Sequence, residues 1–86
     1  MSKKLPPLHI DDILIVHYIA KETMSPNESD IRTQMRLYGF PLKESLKGLI
    51  QKGYLVGIHV NVKNGNNEKL YKLSEAGRIW AGETFI

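Results

Sequence analysis

Leu46-Lys47-Gly48-Leu49-Ile50-Gln51-Lys52-Gly53-Tyr54-Leu55-Val56-Gly57-Ile58-His59-Val60-Asn61-Val62 holds two periods in one run. Before Gly53 the apolar residues Leu42, Leu46, Leu49 and Ile50 recur at i, i+4, i+7 and i+8, the buried stripe of a helix. Lys43, Glu44, Ser45, Lys47, Gln51 and Lys52 cover its remaining surface. After Gly53 the period falls to two, because Val56, Ile58, Val60 and Val62 alternate with Gly57, His59 and Asn61, as in a half-buried strand. The helix is expected from near Pro41 to just before Gly53. Gly48 in its middle costs about 1 kcal/mol against alanine, which suggests close approach of another backbone or of a ligand.

Working downstream, Lys63-Asn64-Gly65-Asn66-Asn67 predicts a hairpin turn, since Asn-Gly suits the turns that match strand twist. Residues 68–73 form the returning strand. Ser74 is placed to cap a last short helix, with Glu75 in its first turn and Ile79, Trp80 and Phe85 as its apolar residues. Upstream, Tyr38-Gly39 ends a second helix, with glycine suited to a left-handed exit. That helix is expected to start at Ser25 as N-cap, with Pro26 at the first position and Glu28 at capping-box spacing, and to run to about Leu37 with Ile31 and Met35 inward. A first helix over residues 10–22 has Asp11 and Asp12 at the positive end of its dipole. Ile10, Ile13, Leu14, His17 and Tyr18 mark one face, and Ile15, Val16 and Ile19 a second apolar strip. A helix so apolar around its circumference needs cover on more than one side. A short strand near Met24 is expected to pair with the hairpin. Pro6-Pro7 marks residues 1–8 as an extended arm, leaving one domain over 9–86.

The chain has 86 residues, no cysteine and a formal charge of +3. Its size suits one domain. The absence of cysteine excludes disulfides and thiolate zinc sites. No apolar run is long enough to span a membrane, and MSKKLPPLHI has no apolar stretch of signal-peptide type behind its charged start, so a cytoplasmic location is expected. Charge is unevenly spread. Residues 31–72 carry eight basic residues against Glu44 and Glu68, an excess of six, whereas the two ends carry four basic residues and seven acids. Such a concentration fits a polyanion-binding surface; a solvated surface without a partner is the other reading.

Two helices joined by a short glycine-containing turn make a helix-turn-helix, whose second helix projects an exposed face that the DNA major groove admits. The run Leu46-Lys47-Gly48-Leu49-Ile50-Gln51-Lys52-Gly53-Tyr54-Leu55 resembles the end of the recognition helix in winged helix-turn-helix regulators. Tyr71-Lys72-Leu73-Ser74-Glu75-Ala76-Gly77 resembles the segment that closes the wing in MarR-like and PadR-like repressors, with serine replacing threonine. The likeness extends over about residues 9–81. It implies an α+β winged helix-turn-helix fold: a three-helix core, a C-terminal β-hairpin wing and a short final helix. It also implies that Pro41, Lys43, Glu44 and Lys47 face the groove, and Ser45 and Gln51 lie on the same helix. Glu44 departs from the pattern: it either accepts from a cytosine amino group or pairs on the helix surface with Lys47, the pair being favoured. Lys63, Asn64, Asn66, Asn67 and Lys69 form the wing, expected on the flanking backbone or minor groove. Arg32 and Arg36, one turn apart, either grip a phosphate or belong to a solvated helix face.

His9, His17 and His59 fall in three different elements without ligand spacing, so no metal site is expected. No cofactor and no enzymatic chemistry are expected, because the sequence has no phosphate-binding glycine loop and no nucleophile elbow. The expected function is that of a double-stranded-DNA-binding transcriptional regulator. It is expected to be a homodimer through the first helix and C-terminal segment, and no small-molecule effector is expected, because almost no residues are left for a ligand pocket. The alternative is a winged-helix module for protein contacts within a transcription or replication complex.

Overall fold

The computed structural model describes residues 5–61 and 67–84. The order is α1 (Ile10–Lys21), α2 (Glu28–Met35), α3 (Leu42–Gln51), β1 (Leu55–Asn61), β2 (Asn67–Leu73) and α4 (Glu75–Thr84). β1 and β2 pair antiparallel from Leu55↔Leu73 to Asn61↔Asn67. The fold is α+β, three helices followed by a hairpin and a final helix.

The core is built where the three helices and the base of the hairpin converge. Ile15, Val16 and Ile19 of α1, Ile31 of α2, Leu42, Leu46 and Leu49 of α3, and Leu55 and Tyr71 of the hairpin are buried. At about 2 kcal/mol for each buried large aliphatic side chain, this cluster is the main favourable term holding the elements together. On α1 the strip that faces inward is Ile15, Val16 and Ile19; Ile10 and Leu14 stay 66% and 49% exposed. On β1 the residue that enters the core is Leu55, while Val56, Ile58 and Val60 are half-buried on the other side of the hairpin.

Several ends differ from the sequence expectation. α2 is capped by Asn27, not Ser25: the Asn27 side chain accepts from the Asp30 amide at 2.7 Å, and the Asp30 carboxylate accepts from the Asn27 amide at 3.2 Å. The Asn27 box satisfies two amides that the helix start leaves unpaired. Pro26 lies before the cap and lends its carbonyl to the Tyr71 amide at 2.8 Å, and Asn27 forms an isolated bridge with Leu70. The contact expected from a strand near Met24 is therefore made by Pro26 and Asn27. α2 also stops early, because Arg36 takes the left-handed conformation at φ 55°. Leu37 and Arg36 donate back to the carbonyls of Arg32 and Thr33, a Schellman ending. Gly39, expected to end the helix, sits at φ 78° in the turn that follows.

Ser74 acts as expected. Its hydroxyl accepts from the Gly77 amide at 2.9 Å and donates to the Gly53 carbonyl at 2.5 Å, so one side chain caps α4 and fastens it to the turn after α3. Trp80 packs edge-on against Tyr54, centroids 5.0 Å apart. The Tyr54 hydroxyl donates to the Pro6 carbonyl, and Leu5 and Leu8 pack on the core. The described part of the arm, residues 5–8, thus lies against the domain through Leu5, Pro6 and Leu8. No helix among the described residues is long and apolar enough to cross a membrane.

Candidate nucleic-acid interface

α3 buries one side and exposes the other. At about 3.6 residues per turn, its outward face reads Ile50, Lys43, Lys47, Gln51, Glu44 from one flank to the other. Lys43, Glu44, Lys47 and Gln51 are exposed, Ser45 and Ile50 half-buried, and Pro41 is an exposed N-cap without a side-chain bond. The two lysines stand on the flank that ends at Ile50. Glu44 stands on the far flank and, although it was expected to pair with Lys47, forms no ion pair with it; the described pair is Arg32–Glu28 at 3.6 Å. Two solvated side chains gain little from pairing and lose rotamer freedom.

The hairpin meets α3 on the lysine flank. A β-carbon placed on Gly57 of β1 would have Ile50 Cδ1 of α3 at 3.5 Å and Lys69 Nζ of β2 at 3.4 Å, and would collide with Lys69 Cε. Lys69, though exposed, does not extend straight away from β2. Its stem crosses Gly57 and its ammonium lies 5.5 Å from the centroid of the Tyr71 ring, within cation–π range. The remaining acid of the basic region is also accounted for: the Glu68 carboxylate accepts from the Asn27 amide group. Among the described residues Lys69 thus lies at the seam where Ile50 of α3 meets Gly57, Lys43 and Lys47 are exposed on the flank of α3 that ends at Ile50, and Asn67 is exposed farther along β2. Lys63, Asn64 and Asn66 lie outside the described residues.

Arg32 and Arg36 do not form a matched pair. The Arg32 guanidinium donates to the carbonyls of Leu37 at 2.7 Å and Phe40 at 3.0 Å, so it staples the turn between α2 and α3 and thereby aims α3. Arg36, in its left-handed conformation, is exposed in that same turn. Tyr38 beside it is 70% exposed, a feature the sequence reading passed over because an apolar residue next to a glycine reads as packing.

Gly48 has open space around its α-carbon, so within the chain it serves no close approach. The close approaches occur at Gly57 and Gly77. An open cleft of about 450 Å³ lies between the end of α1, β2 and the start of α4, lined among others by Glu22, Tyr71, Lys72 and Arg78. The chain thus has a concavity where little room for one was expected. Among the described residues no three His, Asp or Glu converge as a metal site.

No protein-family model matches this chain, and no curated protein matches it. Solved structures do. A candidate transcriptional regulator from Thermoplasma acidophilum superposes with a TM-score of 0.68 at 20% identity, over 86% of this chain and 79% of its own. A transcriptional regulator from Streptococcus superposes with a TM-score of 0.67 at 14% identity, over 88% of this chain and 81% of its own. The element order, the two-stranded hairpin and these superpositions together identify the architecture as a winged helix-turn-helix.

Proposed function

We propose that the protein is a transcriptional regulator that binds double-stranded DNA, with α3 in the major groove and the hairpin on the flanking backbone or minor groove. The observation that carries this reading is the seam between α3 and β1 at Ile50 and Gly57, where the lysine flank of the helix adjoins the hairpin that carries Lys69. The two superposed proteins, both described as transcriptional regulators, support it. On this reading Lys43, Lys47 and Lys69 meet phosphates, Gln51 and Glu44 lie toward base edges with Ser45 half-buried at the rim of the helix beyond Glu44, and Arg36 meets the backbone from the turn. Pro41 begins the inserted helix, and Asn67 with Lys63, Asn64 and Asn66 completes the wing. Arg32 sets the angle of α3 and makes no contact of its own.

The protein acts as a homodimer, in keeping with the two-fold symmetry of paired half-sites. Ile10 and Leu14 on the outer face of α1 are the first-choice contact, with Ile79 of α4, which is 55% exposed. Two copies of α1 running antiparallel would set Asp11 in the first turn of one against Lys21 in the last turn of the other, with the helix dipoles also opposed. No effector is required for binding, and the protein catalyses no reaction.

The test is a fluorescence-anisotropy titration with mixed-sequence duplex DNA over a range of salt. Affinity should fall steeply with salt, and Lys43→Ala and Lys47→Ala should each make the log–log slope shallower by about one. Absence of binding at low salt would favour a protein-contact module instead.

A further inference from the structure

Of the cations on the proposed face, Lys69 is the one whose position depends on a residue with no side chain. Gly57 is opposite Tyr71 in the β ladder, and Lys69 is opposite His59. Successive residues of a strand point to alternate faces, so Gly57, His59, Lys69 and Tyr71 share the hairpin face that contains Leu55 and abuts Ile50. A lysine at position 69 would ordinarily extend into solvent, far from α3. Here it folds across the gap at Gly57, with its ammonium over the Tyr71 ring.

We infer that Gly57 is a positioning residue for DNA binding: its missing side chain is the cradle that holds the Lys69 ammonium at the seam with Ile50 of α3, on the side of the helix that carries Lys43 and Lys47. The inference rests on the DNA-binding reading above. It makes Lys69 a cation of the seam rather than of the wing tip. Gly57 has an ordinary backbone conformation, since the positive-φ glycines are Gly39 and Gly53. A methyl group at 57 is thus compatible with the strand, and the atoms it would displace are the far end of a flexible side chain. Ile50 Cδ1, at 3.5 Å, would be in ordinary contact with it. The substitution should therefore move Lys69 without unfolding the domain.

Gly57→Ala separates this role from simple charge. In the free protein, the Lys69 ε-methylene protons should resonate upfield under the Tyr71 ring, and G57A should return them toward the position of a solvated lysine. In duplex titrations, G57A and Lys69→Gln should each lower affinity several-fold and make the salt slope shallower by about one. G57A should add nothing in the K69Q background, because both changes remove the same contact. Should G57A leave the Lys69 shifts or the duplex affinity unchanged while K69Q weakens binding, the cradle is refuted and the DNA-binding reading stands. Should the parent bind no duplex at low salt while the upfield shifts are present, the cradle exists but its role in binding falls together with that reading.

Discussion

The amide of Asn27 donates to Glu68 of the hairpin, while its oxygen and backbone close the capping box of α2. One truncation therefore cuts a helix cap and a tether between two elements. Asn27→Ala should lower stability by about 1–2 kcal/mol, measured by urea unfolding, where Ser25→Ala should be nearly silent. Arg36 presents the opposite case. A non-glycine residue in the left-handed region is held there against its own preference, and glycine would suit the position better. Arg36→Gly should leave stability unchanged or raise it by up to about 1 kcal/mol, while weakening duplex binding. A fall in both would mean that the side chain supports the turn instead of reaching DNA. Gly39 offered the stronger sequence signal for a helix end, and no local rule promotes an arginine over a glycine three residues later.

Among the elements, α3 was the most legible, because its stripe of Leu42, Leu46 and Leu49 and its glycine stop are local features. The two strands were legible for the same reason: the period of two at 56–60 is a short-range signal, while the Asn64-Gly65 turn expected between them lies outside the described residues. α1 was legible as a helix but not in its orientation. Both of its strips are apolar, and only packing against α2, α4 and β2 decides that Ile15, Val16 and Ile19 go inward. The candidate site was readable to the extent that it sits on α3. The structural role of Arg32 was not legible, because its partners, the carbonyls of Leu37 and Phe40, are backbone groups that residue identities do not disclose. Removing it should be felt across the whole helix-turn-helix. Arg32→Met leaves two carbonyls without a charged donor, and should cost about 2–3 kcal/mol in chemical unfolding. The course of Lys69 over Gly57 required coordinates for a different reason, since it depends on which face of the hairpin meets Ile50.

For the molecule as a whole, the outer face of α1 is an apolar surface that the fold leaves uncovered, with Ile10 and Leu14 both exposed. If α1 forms the dimer contact proposed above, Leu14→Lys should give a monomer in sedimentation equilibrium without unfolding the domain, because the side chain is already half exposed. Duplex affinity should fall with it, since one copy then binds a half-site alone. An unchanged mass would move the interface elsewhere. The alkaline limit of the fold is set nearby. Burial, then a hydrogen bond to Glu22 and the charges of Glu22 and Asp30, push the Tyr18 hydroxyl from 10.0 up to about 12. Burial raises those of Tyr54 and Tyr71 as well, with Glu28 adding to Tyr71. The folded state thus holds these protons more tightly than the unfolded chain. The contribution of Tyr18 is complete below about pH 10 and is lost as pH rises toward 12; those of Tyr54 and Tyr71 change in the same direction. Unfolding followed by far-UV circular dichroism should show stability declining above about pH 10, less steeply in Tyr18→Phe.

Gly77 lies so close to the Tyr54 carbonyl that a β-carbon there would overlap it. Its neighbours in α4, Ala76 and Arg78, both carry one. The last helix therefore works like a keyed shaft: it seats in a single register, and a slip by one residue in either direction jams. For protein engineering, inserting or deleting one residue between Ser74 and Gly77 should eject the helix altogether.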